Sequence, residues 1–277
     1  MKKQLISLSP SGSGGGGITP SGNINITTTQ LTDVTQYATA QVVDPNLLAD
    51  NIKADVTILG IEGTFSGGGN KLPSVVDNTI TELTSADLQG ATKIKQYEFY
   101  ESTTLTSIVI PSSVTSIGTY ALSGCTNLTS VTFQNDSQLR YIMTNCFSAS
   151  TFPSIVIPKG VEIIYAYAFN NCKNLTSVTF QSDSRLQIIR DWSFSGCSRL
   201  TSITLPSSLI NIYAGAFNNC SALTDITILA TTPPTLQNAN AFNGSTCPIY
   251  VPAESVETYK AATNWSSLAS RIQAIQG

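Results

Sequence analysis

Aromatic residues return to one slot of this sequence. Tyr97, Tyr120, Tyr167 and Trp192 each stand two residues before a large apolar residue, namely Phe99, Leu122, Phe169 and Phe194. Asn145 and Gly215 hold the same slot before Phe147 and Phe217, and Tyr165 and Tyr213 lie close by. A row of flat rings is suited to stacking on the apolar face of a sugar, and indole offers the widest face. That orders the candidate binding residues as Trp192, Tyr167, Tyr120 and Tyr97. The competing role for such rings is structural, with each lying flat over the neighbouring turn of chain.

Other reactive groups are sparse. The 277 residues include no histidine, which removes the Ser-His-Asp and Cys-His nucleophile systems and the commonest metal ligand. The glycine tracts lack the strand-then-helix context of a phosphate-binding loop. No catalytic, cofactor or metal residue is assigned, and the chain is not expected to be an enzyme. Asp136 and Asp183 hold equivalent places after Phe133 and Phe180. They suit backbone capping in a turn, with calcium binding as the alternative. Six cysteines are present. Cys125, Cys172, Cys197 and Cys220 share one slot, three residues after Leu122, Phe169, Phe194 and Phe217, while Ser150 and Ser245 fill it elsewhere. Cys146 stands just before Phe147, where alanine is usual. Small, weakly polar residues repeated at one core position read as buried packing thiols, ahead of disulfides or metal ligands.

The elements that position these groups are themselves repeated. Leu105-Thr-Ser-Ile-Val-Ile-Pro111 returns as Leu200-Thr-Ser-Ile-Thr-Leu-Pro206, with variants starting at Leu128, Phe152, Leu175, Leu223 and Thr246. Starts roughly 23 to 25 residues apart are the mark of a solenoid. The Ile-x-Ile alternation predicts a short strand with one buried face. A second apolar run at Val114 to Ile117 and a tight helical turn at Ala121-Leu122 complete each rung. Pro111, Pro158, Pro206 and Pro252 follow the strands, where a missing N–H does least harm. The units at Leu128 and Leu175 instead carry Gln-Asn/Ser-Asp-Ser and start 47 residues apart, so the true period is a pair of rungs.

Leu-Thr-Ser-Ile-x-Ile-Pro-Ser-Ser-Val/Leu followed by Ala-Phe-x-x-Cys-x-x-Leu resembles the BspA-like class of leucine-rich repeats over about residues 80–270. The resemblance implies a repeat solenoid of parallel β-strands with short helical turns, capped at both ends. Repeats of this class occur in bacterial surface proteins and in phage and prophage proteins, as binding scaffolds. Upstream, Asn51-Ile-Lys-Ala-Asp-Val-Thr-Ile-Leu-Gly-Ile-Glu-Gly-Thr-Phe65 is similar to a phrase of phage tail-associated structural proteins. Ile18-Thr-Pro-Ser-Gly22 and Asp33-Val-Thr-Gln-Tyr-Ala38 resemble the β-segment that precedes it.

These features divide the chain. Residues 1–17 form a flexible tether, 18–65 a small α+β module, 66–70 a Gly-rich linker, and 71–104 an N-terminal cap. Residues 105–247 form the leucine-rich-repeat solenoid, and 248–277 a C-terminal cap with a helix. Within the module, Ile24 to Ile26, Val34 and residues 37–43 read as strands and 45–54 as a helix opened by Asp44-Pro45. Val56 to Ile61 reads as a strand turning at Glu62-Gly63. In the C-terminal cap, residues 253–259 and 265–275 read as helices with Val256, Tyr259, Trp265, Leu268 and Ile272 inward.

Charged residues are only 11% and the net charge is −3, which argues against nucleic acid or acidic lipid as partner. No apolar run approaches membrane-spanning length. The start Met1-Lys-Lys-Gln-Leu-Ile-Ser-Leu lacks the apolar length of a secretory signal. The expected function is a phage virion accessory or tail-fibre-like protein. Residues 1–65 would attach to virion structural proteins, and the repeats would contact a host-surface glycan or protein. A bacterial cell-surface adhesin and a purely structural virion protein are the alternatives. A second candidate surface is the outward strand face, which runs Ser107, Ser130, Ser154, Ser177, Ser202, Asp225 in one row and Val109, Thr132, Val156, Thr179, Thr204, Thr227, Tyr250 in the next.

Overall fold

A strand of two to four residues cannot satisfy its own backbone, so each repeat pairs its strands with those of the next. The computed structural model describes residues 80–276 and, upstream, four short strands: β1 (Leu5–Ser7), β2 (Thr27–Thr29), β3 (Thr57–Ile58) and β4 (Ile61–Glu62). By internal contacts the chain forms two units, Met1–Gly68 and Gly69–Gly277. In the first unit β1 pairs antiparallel with β2, and β3 with β4. The stretch 56–61, expected as one strand, is therefore two, because the chain reverses between Ile58 and Ile61. The expected strands at 24–26, 34 and 37–43, the helix at 45–54 and the linker lie outside the described residues, whereas β1 falls within the stretch 1–17 expected as a flexible tether.

The second unit is a parallel β-solenoid of about eight turns with little helix. Each rung contributes a front strand and a back strand. The first rungs run β5 (Glu82–Leu83), β6 (Lys93–Ile94), β7 (Ser107–Ile110), β8 (Ser116–Ile117), β9 (Ser130–Phe133) and β10 (Tyr141–Ile142). They continue through β11 (Ser154–Ile157), β12 (Ile163–Ile164), β13 (Ser177–Phe180) and β14 (Ile188–Ile189). The last are β15 (Ser202–Leu205), β16 (Asn211–Ile212), β17 (Asp225–Ile228), β18 (Thr235–Leu236) and β19 (Ile249–Val251). The back strands form one unbroken sheet from β6 to β18. The front strands form two sheets, β5-β7-β9 and β11 onward, with no pairing between β9 and β11. A rung thus already lies within the stretch expected to cap the N-terminal end, with Leu83, Leu88, Ile94 and Phe99 in the core.

Alternation sets what is buried. In β7, Ile108 and Ile110 point inward and Ser107 and Val109 outward. The back strands each bury one residue: Ile94, Ile117, Ile142, Ile164, Ile189, Ile212 and Leu236 make a continuous column. Between the sheets, Phe147, Phe169, Phe194, Phe217 and Phe242 stack with successive centroids 4.9–5.7 Å apart and planes within 13°. Trp265 closes the stack at a 40° tilt, with its indole N–H donated to the Pro234 carbonyl at 2.8 Å.

The turn expected at Ala121-Leu122 and its counterparts is a third ladder. Alternate N–H groups bond back three residues within the rung, as Tyr100 N does to the Tyr97 carbonyl. The others donate to the next rung: Tyr97 to Thr119, Phe99 to Ala121 and Glu101 to Ser123. The pattern repeats through Trp192 to Ala214 and Phe194 to Ala216. A compact turn is held in register by inter-rung bonds on the side where no strand runs.

The pairing of rung types is visible in the capping. Gln134 Oε1 accepts from Ser112 N, and Gln181 Oε1 accepts from Lys159 N, so the Gln-x-Asp-Ser rungs supply an acceptor that follows the proline of the rung before. Ser137 and Ser184 hydroxyls, rather than the neighbouring Asp136 and Asp183, take the N–H groups of Leu139 and Leu186. The two aspartates hold left-handed backbone, φ 57° and 58°, which Asp tolerates better than most residues.

The C-terminal end differs from expectation. After a 3-10 turn at Ala253–Ser255, helix α1 (Val256–Ala261) is short, and a second 3-10 turn ends at Arg271. Residues 272–274, expected as helix, form β20 (Ile272–Ala274), paired in parallel with β19. An open sheet edge offers unpaired backbone groups that outweigh a weak local helical preference. Tyr259 and Trp265 are fully buried against the last rungs, and Tyr259 donates its hydroxyl to the Ala230 carbonyl at 2.8 Å.

Candidate functional site

The third ladder fixes the aromatic column. Tyr97, Tyr120, Asn145, Tyr167, Trp192 and Gly215 all adopt φ between 55° and 64°. Left-handed backbone is unusual for a bulky residue and costs about 1–2 kcal/mol. It persists here because each N–H from Tyr97 to Trp192 is bonded to the following rung. Tyr and Trp are not residues that such backbone selects, so the sign in the sequence is confined to Asn145 and Gly215, which fill the same slot and favour it.

The column divides into distinct environments. Tyr97 and Tyr120 stack with centroids 5.2 Å apart and planes 10° apart. Tyr100 meets both edge-on, at 5.5 and 6.0 Å. Tyr97 and Tyr100 remain 50% and 44% exposed, so the cluster presents an aromatic surface to solvent at the N-terminal end of the array. A hydrogen bond with Glu101, reinforced by its charge, raises the pKa of the Tyr100 phenol above its usual value and favours the neutral hydroxyl. Sequence reasoning passed over Tyr100, though a signal existed. Its counterparts in later rungs are Ser123, Ser148, Asn170, Ser195, Asn218 and Asn243, so an aromatic breaks an otherwise polar column.

Tyr167 is exposed, whereas Trp192 is half-buried. The indole of Trp192 lies flat over Gly215: a Cβ there would stand 2.6 Å from Trp192 Cδ2. Trp192, first among the candidates by ring size, therefore has one face committed to the next rung. Asn145 separates the Tyr97–Tyr120 pair from Tyr167. The neighbouring rings belong to another row, where Tyr165 meets Tyr141 edge-on at 6.4 Å and the Arg190 guanidinium covers Tyr213 at 4.6 Å.

The cysteine slot is a row of hydrogen-bonded thiols. All six cysteines are free and buried. Cys125, Cys172, Cys197 and Cys220 donate to the carbonyls of Phe99, Phe147, Phe169 and Phe194 in the rung before, at 3.0–3.2 Å. Ser150 donates from the same slot to Leu122, which explains why serine substitutes there. Burial pushes the Cys125 and Cys172 thiols up to about 12, the opposite of a nucleophile's environment. Among the described residues no group of three metal-ligating side chains comes together, and no helix is long and apolar enough to cross a membrane.

A repeat described as a BspA type leucine rich repeat region matches in 6 copies over residues 92–185 and 140–261. The chain belongs to the BspA-type leucine-rich repeat family. No curated protein sequence gives a significant match. Among solved structures, this BspA-type chain is similar to the pneumococcal vaccine antigen PcpA, with 21% identity and a TM-score of 0.44, over 64% of this chain and 51% of that one. It thus spans about half the PcpA chain. A Treponema pallidum leucine-rich repeat protein gives 23% identity and a TM-score of 0.39, over 50% and 68% of the two chains. A leucine-rich repeat protein from Eubacterium ventriosum gives 17% and 0.35, over 65% and 68%.

Proposed function

We propose that the BspA-type array is a non-catalytic recognition scaffold that contacts a host-surface glycan or protein, with Tyr97, Tyr100 and Tyr120 as its leading surface. The observation that carries this reading is the three-ring cluster, in which Tyr97 and its edge-on partner Tyr100 stand open to solvent and the stacked Tyr120 is half-buried. Rigid aromatics give large contact area for little lost rotamer entropy. Tyr167 extends the surface along the array, and Trp192 serves mainly to roof the next rung. The test is binding of the full chain to a glycan array and to host-cell surfaces, with Tyr97→Ala and Tyr120→Ala alongside. A loss of tenfold or more in both variants, with unchanged melting, supports the platform. Undiminished binding moves recognition elsewhere on the array.

The vehicle of this scaffold rests on a different observation, the likeness of residues 51–65 to phage tail-associated proteins. On that basis residues 1–65 attach the chain to a virion, and the array faces the host. Deleting residues 1–68 and measuring incorporation into particles tests this. Incorporation of the shortened chain refutes it, and presence of the intact chain on the bacterial surface without particles favours a cell-surface adhesin.

A further inference from the structure

We propose that the interruption of the front ladder between β9 and β11 is a binding cleft for one neutral sugar residue. The cause of the interruption is local. In successive rungs Thr106, Thr129, Thr176, Thr201 and Thr224 precede the front strand, and each donates its N–H and its hydroxyl toward the rung before, as Thr176 does to the Pro153 carbonyl at 2.8 and 2.9 Å. Pro153 stands where this threonine is due. It has neither donor for the Thr129 carbonyl, and Pro158 at the far end of β11 removes another N–H. The rungs stay neighbours because β10 pairs with β12 and the turn ladder continues through Asn145 N to the Ala166 carbonyl.

The result is a cleft of about 300 Å³. That is the small end of ligand-site volumes, suited to a single ring rather than a polymer segment. Its lining is neutral and rich in hydroxyls: Thr129, Ser130, Thr132 and Ser154, with Gln181 at the rim. Gln181 uses its carbonyl oxygen on Lys159 N, which leaves the amide nitrogen as a donor at the cleft. Val131, Phe133, Ile155 and Val156 make the apolar part of the wall, and of these Val156 is 52% exposed. Hydroxyls, one amide, unpaired strand backbone and one apolar patch match the alternating O–H and C–H faces of a pyranose. The absence of any charged lining side chain disfavours a sialic or uronic acid. This site lies on the front face and is independent of the tyrosine cluster, so either can fail alone.

The test is amide chemical-shift mapping on the full chain with glucose, galactose, mannose and N-acetylglucosamine, each titrated to millimolar concentration. At least one sugar is expected to shift amides of residues 129–133 and 154–156. Pro153→Thr, which restores both donors and closes the ladder, should weaken this binding at least tenfold while raising the melting temperature. Gln181→Ala, an exposed change, should weaken it without altering folding, and Tyr97→Ala should leave it intact. Failure of all four sugars to shift those amides overturns the proposal. So does equal binding by Gln181→Ala, or by a folded Pro153→Thr.

Discussion

Gly215→Ala tests how the rings and the third ladder fit together. Gly215 has φ +64°, and an added Cβ would lie 2.6 Å from Trp192 Cδ2 and 2.8 Å from Cε2. Two penalties follow. The left-handed backbone costs an alanine about 1–2 kcal/mol. Displacing a packed indole costs about 1–3 kcal/mol more. The first penalty is tolerable by itself, since Tyr97, Tyr120, Tyr167 and Trp192 all bear it at equivalent positions. The second exists only while the indole is present. Urea unfolding of the wild type, Gly215→Ala, Trp192→Ala and the double variant forms a complete cycle. Gly215→Ala should lose about 2–5 kcal/mol in the native background and only about 1–2 kcal/mol beside Trp192→Ala. The double variant then loses about 1–3 kcal/mol less than the sum of the two single variants. A coupling near zero would refute the claim that the indole lies on Gly215. It would also return Trp192 to the front of the binding candidates.

Further outcomes follow from the core and the surface. Phe194 stacks on Phe169 and Phe217 and is fully buried, so Phe194→Ala should cost about 3–5 kcal/mol; a loss below 1 kcal/mol would mean the stack is not close-packed. Native thiols should react slowly with a thiol reagent and rapidly in denaturant, and a disulfide detected by intact mass would contradict the thiol row. The folded Cys125 and Cys172 thiols sit at about 12, above the ordinary value of about 8.5. Their contribution is fully present below the unfolded pKa and is lost as pH rises toward 12, because the unfolded chain releases its protons first. Cys172→Ser keeps a donor for the Phe147 carbonyl and should flatten the alkaline loss of stability by up to about 1.4 kcal/mol per pH unit; an unchanged slope would contradict burial as the cause. Tyr259→Phe leaves the buried Ala230 carbonyl without its hydroxyl partner and should cost about 1–3 kcal/mol by thermal or urea unfolding.

The repeat was legible because identical slots recur at a near-constant spacing, and stacking identical rungs leaves few other ways to bury Ile108, Ile117, Leu122 and their counterparts. The thiol slot was legible for the same reason: a position that accepts Cys or Ser but nothing larger must be small and buried. What the sequence could not disclose depends on bonds between rungs. The left-handed backbone of Tyr97, Tyr120, Tyr167 and Trp192 is imposed by N–H groups reaching the following rung, and no local preference of Tyr or Trp encodes it. Residues 272–274 carry a helical pattern, yet the unpaired edge of β19 draws them into a strand. Pro153 is visible as a departure from the threonine column, but its effect needs the neighbour: a proline breaks a ladder only where the next rung offers a carbonyl for the missing N–H. Ring order along the column likewise follows spacing in the sequence, whereas which ring faces remain open is decided by what lies beneath them. Gly215 lets Trp192 lie flat, while Tyr97, stacked on a half-buried Tyr120, stays exposed at the N-terminal end of the array.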